Sequence, residues 1–240
     1  MKTDLLYLLQ CYLQEFDAKV TGVLAERKAV ILDKTCFYYT GGGQPNDTGR
    51  LVADGSEYKV VNVEKDRETG EILHFLDSTP TFPSSTPVHG TVDWERRYRH
   101  MRYHTCLHVL SNIAYREFGA IISGNQIYED HGRVDFSLEN FTPEIIDTII
   151  SKGNEIARAS LPVKWYFLPL EQAKQKFTDK TRLAFLPQGV ENVRIVEIVG
   201  FDFDACGGTH LKNTSEIGEI RFLRKENKGK NNRRIEVELG

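Results

Sequence analysis

The chain has 240 residues, 40% hydrophobic and 27% charged, enough for one large domain or two small ones. No stretch reaches the roughly 20 apolar residues of a membrane span, and Met1-Lys2-Thr3-Asp4 opens no secretory signal. A net charge of −3 excludes a protein that coats nucleic acid by bulk electrostatics, and no DNA partner is expected. Four scattered cysteines (Cys11, Cys36, Cys106, Cys206) without an export signal predict free thiols in a cytoplasmic chain with no membrane partner.

Residues 1–93 read as strands and turns. Short apolar or alternating runs fall at Phe16–Leu24, Ala29–Asp33, Cys36–Tyr39, Tyr58–Val63, Glu71–Leu76 and Val88–Trp94, and Ser78–Pro87 is a proline-broken loop. Such spacing predicts a small β-barrel. At Trp94 the period changes. Residues 94–118 hold neither Gly nor Pro, and Leu107, Leu110, Ala114 and Phe118 recur at helical spacing until Gly119. A strand at Gly132–Ser137 follows, then a helix opened by Thr142 as N-cap and Pro143, running to about Ala159. Strands near Val163–Leu168, Val193–Ile198, Ile217–Leu223 and Arg234–Leu239, with a short helix after Pro169, complete an α+β chain. The expected domains are 1–93 and 94–240.

Two basic clusters stand out against the acidic total. One is Arg96-Arg97-Tyr98-Arg99-His100-Met101-Arg102; the other holds Arg221, Arg224, Lys225, Lys228, Lys230, Arg233 and Arg234. They read either as phosphate contacts or as solvated faces.

His104-Thr-Cys-Leu-His108 places two imidazoles four residues apart within the predicted helix, where Cβ atoms share a face at roughly 6 Å. About a hundred residues on, Cys206-Gly-Gly-Thr-His210 repeats the spacing in a predicted loop, where Gly207 and Gly208 permit a sharp turn. Each pair alone reads equally as packing. Together they predict one zinc per chain, the metal that imidazole and thiolate favour. A zinc protease needs Glu directly after the first His, and here Thr105 stands there.

His104-x-x-x-His108 followed by Asp204-Ala-Cys206-Gly-Gly-Thr-His210-Leu-Lys-Asn-Thr-Ser-Glu-Ile-Gly218 resembles the editing domain of alanyl-tRNA synthetases. Phe37-Tyr-Tyr-Thr-Gly-Gly-Gly-Gln-Pro-Asn-Asp-Thr-Gly49 is similar to the glycine-rich segment of the barrel preceding it in that family. The resemblance implies a freestanding alanyl-tRNA editing protein of the medium-length AlaX type: a small N-terminal barrel, then an α+β zinc-containing editing domain. It implies hydrolysis of Ser-tRNA(Ala), leaves Gly-tRNA(Ala) open as a second substrate, and makes the charged tRNA the partner. The chemistry agrees, since a small pocket rejects an analogue bearing one extra hydroxyl only about a hundredfold.

On this reading Thr40 is the candidate for reading serine's hydroxyl, with Gly41, Gly42, Gly43 and Gln44 binding substrate nearby; an exposed hairpin turn is the alternative. Backbone donors at Gly207 and Gly208 would stabilise an oxyanion around a positioned water. Thr105 and Gln126 are further catalytic candidates, whereas Arg133 and Asp135 are expected to pair with each other. Two other functions stay open: an editing domain for another mischarged tRNA such as Ser-tRNA(Thr), and a non-catalytic RNA-binding module with a structural zinc.

Overall fold

Alternation builds the first half. In β1 (Glu15–Leu24), Phe16, Ala18 and Val20 point inward while Glu15, Asp17 and Lys19 face water. With β2 (Ala29–Leu32), β3 (Gly49–Ala53), β4 (Ser56–Lys65), β5 (Ile72–Leu76) and β6 (Pro87–Val92) it closes a barrel in the order β1-β2-β5-β4-β3-β6. Every pairing is antiparallel, and closure leaves no free sheet edge. Phe16, Leu32, Phe37, Leu51, Val60 and Leu76 are among the residues filling its interior. His74 of β5 is buried there, its Nε2 2.9 Å from Thr35 Oγ1 and its Nδ1 3.3 Å from the Val30 carbonyl. The computed structural model describes residues 2–139, 141–177, 189–229 and 232–240.

Two strand expectations change. β3 went unpredicted because only Leu51 and Ala53 mark its inward face after Gly49-Arg50. Conversely, Cys36–Tyr39 is buried but is not a strand. Its backbone groups are met by side chains instead: Thr35 Oγ1 accepts from Phe37 N–H at 3.1 Å and Asp47 from Tyr38 N–H at 2.6 Å. The glycine-rich segment is a tight hairpin. Gly41 and Gln44 exchange both backbone hydrogen bonds, at 3.1 and 2.9 Å, around Gly42 and Gly43. Both central residues have positive φ (58° and 82°), which a two-residue turn of this hand requires and glycine supplies without strain.

The helix α1 spans Trp94–Phe118, as predicted. Its first basic cluster is largely engaged within the protein. Arg97 is fully buried: Nε donates to both Asp47 oxygens at 2.9 and 3.0 Å, Nη2 reaches Asp47 and the Cys36 carbonyl, and Nη1 donates to the Cys11 carbonyl. Arg96 donates to the Asn46 carbonyl and Arg99 pairs with Glu95, while Arg102 donates to the carbonyls of Ile217 and Gly240. The chain divides into two compact units, Met1–His100 and Met101–Gly240, with the division inside α1.

In the second unit α1 is buried around most of its circumference, from Met101 to Ala114. A four-stranded antiparallel sheet has the order β12-β13-β8-β7, from β7 (Ile121–Ile127), β8 (Gly132–Ser137), β12 (Ile220–Gly229) and β13 (Asn232–Leu239). A three-stranded sheet joins β9 (Val163–Pro169), β10 (Asn192–Ile198) and β11 (Asp202–Ala205). The helices α2 (Pro143–Arg158) and α3 (Leu170–Lys176) complete it. Thr142 holds the N-cap position without a side-chain capping bond. Gly153 of α2 meets α1 closely: a Cβ there would lie 2.8 Å from Leu110 Cδ2.

Candidate metal centre

Two elements bring the donors together. The α1 pair is set by helical geometry, with His104 and His108 ring centroids 5.3 Å apart. The other pair lies in the loop following β11, and this loop is gripped from several sides. Cys206 N–H donates to the Arg194 carbonyl at 3.2 Å, and Arg194 Nη1 donates back to the Cys206 carbonyl at 2.5 Å. Leu211 N–H donates to Thr105 Oγ1 at 3.1 Å, tying the loop's far end to α1. Asn213 then closes the segment with a capping box to Glu216 around a short 3-10 turn.

The result is that His104, His108, Cys206 and His210 each offer one donor atom, all within 4.8 Å of one another. Cys206 Sγ stands 3.4 Å from His104 Nε2 and 3.3 Å from His210 Nε2. Zn–S and Zn–N bonds in tetrahedral array would put sulfur and nitrogen about 3.6 Å apart. The spacing therefore fits zinc, and the donor chemistry, one thiolate and three imidazoles, fits it as well.

Electrostatics favour the same assignment. Burial works against a thiolate at Cys206, yet the adjacent His104 and His210 hold its thiol well below the ordinary range. Burial, reinforced by His104, keeps His210 well below the usual histidine range. Burial would do the same to His108, but its bonds to Asp202 and Cys206 prevail and lift it to about 10. A metal taking this site displaces that proton. By contrast, burial pushes the Cys36 thiol up to about 12 and raises that of Cys106, which marks both as core residues. All four cysteines are free, as expected.

A second layer backs the cluster. His108 Nδ1 lies 3.2 Å from Asp202 Oδ2, and His210 Nδ1 lies 3.2 Å from Thr105 Oγ1. Thr105 is fully buried, so the structure places it behind a donor. Gly208 N–H is aimed at Cys206 Sγ, at 3.4 Å. Neither Gly207 nor Gly208 has a positive φ, so no left-handed turn explains them. Gly207 is exposed, and a Cβ there would meet nothing. Gln126, half-buried on β7, donates to its neighbour's carbonyl at Ile127 (3.2 Å).

In the first unit Thr40 is exposed at the foot of the glycine hairpin. Its hydroxyl donates to Asn46 Oδ1 at 3.2 Å and accepts from Asn46 N–H at 3.1 Å, while Gln44 is wholly buried. Arg133 pairs with Asp135 at 2.7 Å, as predicted, and Arg234 joins them. Much of the second basic cluster is likewise engaged: Arg221 with Glu219, Arg224 with Glu236, Lys228 with Glu226. Lys230 lies outside the described residues.

Sequence reasoning missed Arg194, Asp202 and Asn112. The first two sit on strands with no spacing signal, and Asn112 reads as one more polar position on a helix.

The family model for the second additional domain of threonyl and alanyl tRNA synthetases matches residues 193–236, which include the Cys206/His210 loop. A model for class II (A) tRNA synthetases matches residues 6–96. Over 239 residues the chain is 43% identical to the alanyl-tRNA editing protein AlaX-M of Methanosarcina barkeri, covering 97% of both chains. The chain belongs to the AlaX-M family of alanyl-tRNA editing proteins. It is equally 43% identical, over 233 residues and 97% of each chain, to AlaX-M of Saccharolobus solfataricus. The alanine–tRNA ligase of Pyrococcus furiosus is 40% identical over 227 residues, 93% of this chain but 24% of the ligase. The AlaX-M match thus runs through both compact units, with all four donors inside one of them. Among the described residues, no helix is long and apolar enough to cross a membrane.

Proposed function

We propose that this protein is an aminoacyl-tRNA deacylase that edits tRNA(Ala), hydrolysing the ester that joins serine, and also glycine, to the terminal ribose. One zinc per chain is held by His104, His108, Cys206 and His210. The observation that carries this reading is the four-donor cluster, within a chain whose relatives are named alanyl-tRNA editing proteins.

The division of labour follows from the side chains. Zinc, when bound, supplies an electrophilic centre that orients the ribose or aminoacyl group beside it. Thr105 acts through His210 as a positioning residue, since its hydroxyl lies 3.2 Å from His210 Nδ1 and accepts from Leu211 N–H. Gly207, open to solvent beside Cys206, leaves room for the esterified end, and its backbone N–H serves the developing oxyanion. Thr40 reads the serine hydroxyl on a hairpin stiffened by Asn46 and Tyr38, whose hydroxyl donates to the Gly41 carbonyl at 2.9 Å. Gly41, Gly42, Gly43 and Gln44 shape that hairpin against substrate, and Gln126 is kept as a further substrate-facing candidate.

The test is a deacylation assay with Ser-tRNA(Ala), Gly-tRNA(Ala), Ser-tRNA(Thr) and correctly charged Ala-tRNA(Ala), alongside metal analysis by mass spectrometry. Serine and glycine release from tRNA(Ala) with about one zinc per chain is expected. Release from Ser-tRNA(Thr) alone would refute the alanine assignment. A zinc-loaded chain that binds tRNA yet releases no amino acid would instead be a binding module.

A further inference from the structure

Asp202 is a carboxylate almost wholly removed from solvent, 5% exposed, on the strand that leads into the Cys206 loop. An ionised carboxylate in such a place is costly unless its oxygens are taken up. Both are. Oδ2 faces His108 Nδ1 at 3.2 Å, and Oδ1 accepts from Asn112 Nδ2 at 2.6 Å. Asn112 is itself buried and stands one helical turn beyond His108 on α1, so helix and strand are joined through this pair.

His108, Asp202 and Asp204 also bring donor atoms close together, but this second group borrows His108 from the four-donor cluster. With Asp202 already committed to imidazole and amide, it reads as the layer behind the first group. A carboxylate that accepts from Nδ1–H keeps the proton on that nitrogen and leaves the Nε2 lone pair for the cluster. His210 has a weaker backing, since among the described residues its Nδ1 meets the neutral Thr105 hydroxyl.

Resting on the zinc reading above, we infer that the Asp202–Asn112 pair positions His108 and makes it the more firmly held of these two imidazoles. Asp202 is a positioning residue, and Asn112 fixes its carboxylate.

The experiment measures zinc transfer from the full chain to a chromophoric chelator, together with the visible absorption of the cobalt(II)-substituted protein. Asp202→Ala is expected to weaken zinc binding about 10–100-fold and to alter the cobalt spectrum. Asp202→Asn, which keeps a neutral acceptor, recovers most of that loss. Asn112→Ala, which leaves the carboxylate in place but unanchored, gives a smaller loss in the same direction. In a His108→Ala background, Asp202→Ala adds nothing, whereas a merely structural role would add its full cost. Zinc release at the wild-type rate from both Asp202→Ala and Asn112→Ala overturns the positioning role and leaves the zinc reading standing. An equal effect of Asp202→Ala with and without His108 also overturns it. A wild-type chain that takes up neither zinc nor cobalt overturns both.

Discussion

The barrel and the editing unit each bury a polar knot, and the two knots are tied differently. At Arg97 the guanidinium meets the Asp47 carboxylate and the carbonyls of Cys11 and Cys36, so charge and hydrogen bonding are settled inside the protein. At the four-donor cluster a sulfur and three imidazole nitrogens crowd within 4.8 Å of one another. A self-contained knot holds structure. One built of convergent metal-ligating side chains is a candidate binding site. Burial and polarity alone do not separate the two; what separates them is whether donors face acceptors or one another.

That contrast can be broken experimentally. The largest effect is expected at the open knot: Cys206→Ala or His104→Ala should remove zinc and cut Ser-tRNA(Ala) hydrolysis by about a thousandfold or more, read from metal content and single-turnover deacylation. Far-ultraviolet circular dichroism should still report the barrel. At the closed knot, Asp47→Asn leaves Arg97 buried without its counter-charge and should cost about 3–5 kcal/mol in urea unfolding. Zinc content of the folded fraction should be unchanged.

A third test uses His74, whose ring lies in the barrel core. Burial lowers its pKa from 6.5 to about 4, against the weaker pull of the Val30 carbonyl. The unfolded chain therefore takes up the proton first. This group's contribution is complete above pH 6.5 and is lost as the pH falls towards 4, a change of about 3 kcal/mol. His74→Gln should unfold in urea with a flatter pH dependence than the wild type over that window, and parallel curves would show that His74 is not held neutral.

The smallest effect is expected at Thr40. Thr40→Val should lower kcat/KM for Ser-tRNA(Ala) by about tenfold, a lost hydrogen bond of roughly 1.4 kcal/mol, while glycine release stays unchanged. Equal losses on both substrates would make Thr40 a hairpin residue only.

Local rules made the donors legible. His104 and His108 sit on a helix whose ends the sequence marks by the absence of Gly and Pro and by Gly119, and Cys206 and His210 repeat their spacing. What escaped were partners distant in the chain. Nothing near Asp202 shows that it will meet His108, and nothing near Arg97 shows that Asp47 will claim it, so a basic run that read either as phosphate contacts or as a solvated face holds a buried ion pair. Cys36–Tyr39 misled for a related reason: its apolar run is buried like a strand, but side chains rather than a neighbouring strand satisfy its backbone.

The sequence separation of 102 between His104 and Cys206 has a consequence for how the protein is made. Until translation has passed His210, the nascent chain carries half a donor set, and the helix histidines alone hold no ion firmly. On the proposed zinc reading, metal capture is a late event that ties off a loop of about a hundred residues, a closure that in a covalent cross-link is worth about 4–5 kcal/mol. Starving cells of zinc would accordingly yield chains that are finished in length yet unsealed in their second half.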